Sequence, residues 1–105
     1  MATSIYIYSE QSSPALEREG RYGLEDDLEA FLGEAGEVSG GGSGIGNNKW
    51  NLDLELFEDN QLEEWVVKIK GFLQNWGVPP DTYFTIYPDD WKEGMESRRV
   101  EVFDK

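Results

Sequence analysis

The 105-residue sequence predicts an α+β fold with two helices on one face of a mostly antiparallel sheet, and three observations carry that expectation. Several short stretches alternate strictly between apolar and other side chains, the period-two mark of a half-buried strand. Two longer stretches repeat their apolar residues at three- and four-residue spacing, the mark of an amphipathic helix. The two kinds of stretch also succeed one another along the chain, as a two-layer arrangement of strands and helices requires.

Residues 4–8, SIYIY, set Ile5 and Ile7 against Tyr6 and Tyr8, so the first strand has one aliphatic and one aromatic face. From Pro14 the chain turns polar, with Gly20 and Gly23 as breakers, before Leu24, Leu28, Phe31 and Leu32 recur at helical spacing over LEDDLEAFLGEAG. A turn reaching back to Leu16 stays open. Glu25, Asp26 and Asp27 crowd the first turn of this helix, where the dipole favours negative charge, and Gly33 or Gly36 supplies a left-handed stop. EVSG is taken as a second strand. In KWNLDLELFED, Trp50, Leu52, Leu54 and Leu56 oppose Asn51, Asp53, Glu55 and Phe57, which is the clearest strand pattern in the chain.

Asn60 and Glu63 have the spacing of a capping box, and Leu62, Trp65, Val66, Ile69, Phe72, Leu73 and Trp76 then mark the buried stripe of a second helix. Gly77 ends it and Pro79 prevents its return. On its outer side Glu64 and Lys68 form an i,i+4 pair worth about 0.2–0.5 kcal/mol. TYFTIY sets Phe84 and Ile86 against Tyr83, Thr85 and Tyr87, and RRVEVF sets Val100 and Val102 against Glu101 and Phe103. PDDWKEGMES, between them, reads as a loop or irregular connection.

The order βαββαβ with an extra C-terminal strand suits a two-layer ferredoxin-like plait formed by residues 1–105 as a single domain. With two helices on one sheet face, the other is left open, and alternation assigns to it Tyr6, Tyr8, Asp53, Glu55, Phe57, Tyr83, Thr85, Tyr87, Glu101 and Phe103.

Charge narrows the functional classes. The chain holds 22 acidic and 9 basic residues, a net charge of −13, with most of the acids in the first 60 positions. Such a field repels phosphate backbones and anionic lipid, so neither nucleic acid nor a membrane surface is an expected partner. A basic protein is its natural complement, and plain solubility is the competing account. Without cysteine or histidine there is no disulfide framework, thiol nucleophile or imidazole chemistry. The opening MATSIYIYSEQSSP has neither a basic n-region nor an apolar run of signal-peptide length, which leads to the expectation of a soluble, cytoplasmic protein.

The glycine-rich GEAGEVSGGGSGIGNNKW invites a test for phosphate binding. Gly41 and Gly46 have P-loop separation, but Asn47 and Asn48 stand where Lys and Ser or Thr are needed, and the segment precedes a strand instead of opening a helix. A hairpin tip is the preferred reading, with Asn47 and Asn48 turning the chain, over a bare edge strand that another chain could approach closely. Asp53 and Glu55 lie about 7 Å apart on one strand face and are read as solvated acids, since an open face makes a poor cleft for hydrolysis or a cation. No catalytic residue, metal ligand or cofactor is assigned.

The aromatic face carries more weight, because rings facing one way form a larger patch than monomers usually leave open. RNA-binding plaits surround such rings with Lys and Arg, whereas Asp53, Glu55 and Glu101 stand here. Tyrosine is also a favoured protein-interface residue. Trp50, Trp65 and Trp76 read as core, Trp91 as a loop residue that could anchor a partner, and Arg98 and Arg99 as compensation for the acidic surface.

With GEVSGGGSG, the acidic strand DLELF, a helix, and GVPPDT before the next strand, the chain resembles small acidic bacterial proteins over residues 24–87, some of which look like immunity partners of polymorphic toxins. That resemblance carries over no catalytic motif. The resulting expectation is an interaction domain of inhibitor or immunity type, meeting a basic partner through Tyr6, Tyr8, Asp53, Glu55, Phe57, Tyr83, Tyr87, Trp91, Glu101 and Phe103. The alternative is a small regulatory or ligand-binding domain that forms a homodimer through its sheets.

Overall fold

The computed structural model describes residues 3–43, 49–57, 61–87 and 97–103. Among these, five strands and two α-helices follow in the order β1 (Thr3–Ser9), α1 (Pro14–Leu32), β2 (Gly36–Ser43), β3 (Trp50–Leu56), α2 (Leu62–Trp76), β4 (Tyr83–Tyr87) and β5 (Arg98–Glu101). The strands form one sheet in the order β2-β3-β1-β4-β5. Every neighbouring pair is antiparallel. β1 therefore lies at the centre, paired on both sides, with β2 and β5 at the two edges.

Strict alternation in β1, β3 and β4 is what builds the core. Ile5, Ile7, Leu52, Leu54, Leu56, Phe84 and Ile86 are all buried on one face, where they meet Leu24, Leu28 and Leu32 of α1 and Val66, Ile69 and Leu73 of α2. Burying each such side chain is worth about 1.5–3 kcal/mol over leaving it in water. Both helices thus cover the same face. Phe31 of α1 stacks on Phe72 of α2 at 4.7 Å and meets Trp65 edge-on at 5.9 Å, closing the seam between them. The Trp76 indole N–H donates to Asp27 across that seam at 3.0 Å.

α1 begins at Pro14, ten residues before the expected start. Ser13 is its N-cap, its hydroxyl accepting from the Leu16 N–H at 3.2 Å, and Pro14 at the first helical position has no N–H to strand. Gly20 (φ 74°, ψ 169°) is non-helical, so it breaks α1 into two helical segments that meet at a kink, in a conformation that only glycine adopts cheaply, whereas Gly23 lies within the helix. The acids Glu25, Asp26 and Asp27 consequently sit well inside α1 and not in its first turn, where Glu17 stands instead. Glu25 pairs with Arg21 at 3.0 Å. α1 stops at Gly33, whose φ of 58° is positive but whose ψ of −126° lies outside the expected left-handed helical region.

The glycine stretch also departs from the preferred reading. Gly40–Ser43 is strand, paired residue by residue with Asp53–Trp50 of β3 after a bulge at Ser39, so residues 36–43 form an edge strand and not a hairpin tip. Asn47 and Asn48 lie outside the described residues. α2 starts from Gln61, which makes no side-chain cap, so the expected capping box does not form, and Asn60 is likewise outside the described residues. Glu63 instead accepts from Arg98 of β5. Lys68 lies over the Trp65 ring, 4.7 Å from its centroid, in place of the expected pair with Glu64.

Two glycine substitutions separate backbone packing from helix propensity. A Cβ on Gly36 would overlap the Glu55 carbonyl oxygen, whereas one on Gly71, inside α2, would meet nothing within 4 Å. Gly36→Ala is expected to cost about 1–3 kcal/mol and Gly71→Ala to add about 0.5–1 kcal/mol, read as opposite shifts of the urea unfolding midpoint.

Candidate functional site

The same pleat that buries the aliphatic residues sends their sequence neighbours to the opposite side, which no described helix covers. There Tyr6 stands between Asp53 and Thr85, Tyr8 between Asn51 and Tyr83, and Ser4 between Glu55 and Tyr87. β5 extends the face with Glu101 opposite Tyr83 and Arg99 opposite Thr85. β2 extends it the other way, with Glu37 opposite Glu55 and the bare glycines Gly40 and Gly42 opposite Asp53 and Asn51.

The four tyrosines form two cross-strand pairs. Tyr8 stacks on Tyr83 at 5.5 Å between centroids, and Tyr6 meets Tyr87 edge-on at 5.1 Å. Each such pair contributes about 0.5–1.5 kcal/mol beyond its buried area, so the rings are held in place before any partner arrives. The Arg99 guanidinium lies 3.8 Å from the Tyr83 centroid and reaches the Glu101 carboxylate at 2.9 Å. Partial burial, and then the neighbouring Tyr87, Asp53, Tyr83 and Tyr6, push the Tyr8 phenol above its ordinary pKa of 10.0. It is a neutral hydrogen-bonding group across the physiological range.

At one end the face deepens into a hollow of about 660 Å³, lined among others by Tyr8, Asn51, Asp81, Tyr83 and Arg99. Its carboxylates have assigned work. Asp81 accepts from the Ser9 hydroxyl at 2.6 Å and from the Glu10 N–H at 2.8 Å, and Glu10 pairs with Lys49 at 3.3 Å. These groups brace the start of β4 against the end of β1. Among the described residues, no three acidic side chains converge to hold a metal ion, and no helix is long and apolar enough to cross a membrane.

Seven of the expected interaction residues, Tyr6, Tyr8, Asp53, Glu55, Tyr83, Tyr87 and Glu101, share this open face. Phe57 follows the end of β3 at a bend, 42% exposed, and its N–H donates to the Ala35 carbonyl. Phe103 does not join the face. β5 ends at Glu101; Val102 beyond it is buried, its N–H donating to the Thr82 carbonyl and its carbonyl accepting from the Gln74 amide, and Phe103 is half-buried and packs against the core. Trp91 lies outside the described residues. Sequence reasoning missed Arg99 as a member of the face, although its two-residue spacing from Glu101 carried the signal. Asp81 gave no pattern at all.

Compared with protein-family models, with curated proteins and with solved structures, the chain matches none.

The raised Tyr8 pKa sets a pH dependence of defined sign. The folded state holds this proton more tightly than the unfolded state, so the contribution to stability is complete below pH 10.0 and is lost as pH rises through the raised value. Tyr8→Phe is expected to make alkaline destabilisation shallower and to remove from the ultraviolet titration one phenol that ionises above pH 10.0. A titration unchanged above pH 10.0 in the variant would overturn that assignment.

Proposed function

We propose that the chain is a non-enzymatic protein-interaction domain, an inhibitor of the immunity type, that binds a basic protein through its open sheet face. One observation carries this reading: Tyr6, Tyr8, Tyr83 and Tyr87 stand beside Asp53, Glu55 and Glu101 on a single surface of a chain with net charge −13. Pre-paired tyrosines offer contact area and hydroxyl groups at small entropic cost. The carboxylates around them steer a cationic partner and reject an anionic one. Stacking of RNA bases on the same rings fits less well, because the phosphates would face those carboxylates and Arg99 is already engaged by Glu101.

The proposal includes the finer fold class, a ferredoxin-like plait with one added strand. In support, β1 lies between β3 and β4, β2 lies outside β3, and β5 adds beyond β4. A bacterial cytoplasmic setting belongs to the same proposal. A second reading, a small dimeric regulatory or ligand-binding domain, draws support from the hollow of about 660 Å³.

Capture from a lysate of the source cell at low ionic strength is expected to retain a basic protein that is released as salt rises. With that protein purified, Asp53→Lys and Tyr83→Ala should each weaken binding at least about tenfold, roughly 1.4 kcal/mol, with the circular dichroism spectrum unchanged. Retention of nothing, together with a solution mass near twice 12.0 kDa, would replace this reading with the dimeric one.

A further inference from the structure

The two edges of the sheet are built differently. β5 has four residues, and both of its arginines are engaged, Arg98 with Glu63 and Arg99 with Glu101 and the Tyr83 ring. A short, charged edge resists the addition of another strand. β2 runs for eight residues, GEVSGGGS, and holds neither lysine, arginine nor proline. An edge strand turns a row of N–H and C=O groups outward, and among the described residues no strand pairs with the outer side of β2.

Not all of its glycines have an internal reason to be glycine. Gly36 has one, in the Glu55 carbonyl, and so does Gly41, where a Cβ would run into the Arg21 guanidinium and come within 2.9 Å of the Asn51 carbonyl. Gly40 and Gly42 lie on the open face, and above them polar atoms lean toward the edge. Asp53 Oδ2 is 3.7 Å from the place a Gly40 Cβ would take, and Asn51 Oδ1 is 3.2 Å from the corresponding place on Gly42. The Asn51 amide donates to the other carboxylate oxygen, Asp53 Oδ1, at 3.2 Å. The two oxygens over the glycines are therefore acceptors, set on a ledge of bare backbone. On the next row Glu37 and Glu55 stand directly opposite each other, a like-charge pair that a cation would relieve.

We propose that β2 is a docking edge at which an extended basic segment of the partner adds as a further strand, its lysine or arginine side chains crossing Gly40 and Gly42 to Asp53 and Asn51. The inference rests on the basic-partner reading and gives that partner its bound conformation. An added strand would lie about 4.8 Å outside β2, so its backbone stands roughly 10 Å from that of β3. A long cationic stem and an outward-leaning carboxylate together span that gap only if the residue between them has no side chain. Main-chain hydrogen bonds would supply affinity, and alternate side chains specificity. A second copy of this chain is the poorer occupant, since β2 carries no cation to answer Glu37 and Asp53 and each copy has a net charge of −13.

The test uses the intact protein and two peptides of alternating lysine and valine, one unmodified and one methylated on every backbone nitrogen, which keeps the charge and abolishes strand pairing. The unmodified peptide is expected to bind at least tenfold more tightly, to slow hydrogen exchange within Gly36–Ser43, and to lose affinity severalfold in Asp53→Asn. Equal binding of the two peptides, with protection confined to the tyrosine strands, would overturn the edge while leaving the basic-partner reading in place. Binding of neither peptide overturns the edge as well. Slowed exchange in β2 without peptide, with a mass near twice 12.0 kDa, would assign the edge to a second copy and overturn the proposal. The basic-partner reading itself falls separately, by the salt-dependent capture described above.

Discussion

A two-residue period held in register across β3, β1 and β4 is the constraint from which the rest of the molecule follows. Ile5 stands opposite Leu54 and Ile86, and Ile7 opposite Leu52 and Phe84, all of them buried. A slip of one residue in β1 would put its isoleucines in water and its tyrosines under the helices, and the aliphatic layer makes that costly. The tyrosine face is therefore pinned by residues on the other side of the sheet. Nothing on the open face needs to hold it there.

The distribution of charge then follows the layers. Arg98 points to the helix side and meets Glu63, while Arg99, one residue later, points to the open side and meets Glu101 and Tyr83. Glu63 titrates below the ordinary carboxylate value because of that Arg98 hydrogen bond. The β5 edge is thus neutralised on both faces, and the acids Glu37, Glu55 and Asp53, which have no ion pair among the described residues, gather toward the β2 edge. The sheet is polarised across its width, and a cationic partner would be drawn to one side of it.

Elements whose burial is decided by their own side chains were legible in the sequence. β1, β3, β4 and α2 all have a complete periodic pattern, and the open-face assignments of Tyr6, Tyr8, Asp53, Glu55, Tyr83 and Tyr87 came from it directly, with Glu101 read from the shorter alternation of β5. The rest was hidden for separate physical reasons. The first turns of α1 bury little beyond Ala15 and Leu16, so no stripe announces them, and the informative pair was Ser13 followed by Pro14. Gly40, Gly41 and Gly42 have no side chains with which to alternate, and their extended conformation is imposed by pairing with β3. Phe103 continues the alternation of RRVEVF in sequence, but it lies past the strand, where the Val102 carbonyl accepts from the Gln74 amide and the Thr82 N–H turns back to Pro79.

The hydroxyl of Ser13 does more than cap α1. It also donates to the Gly77 carbonyl at 2.6 Å, just past the end of α2, so one oxygen atom serves the beginning of one helix and the termination of the other. A Cβ on Gly77 would sit 3.1 Å from that of Ala15, which leaves the two helix ends close enough for this shared atom to act as a clasp. Fraying at either end breaks a bond that the other depends on. The helical layer is thereby coupled into one cooperative unit at a point where separate helices would ordinarily begin to melt independently.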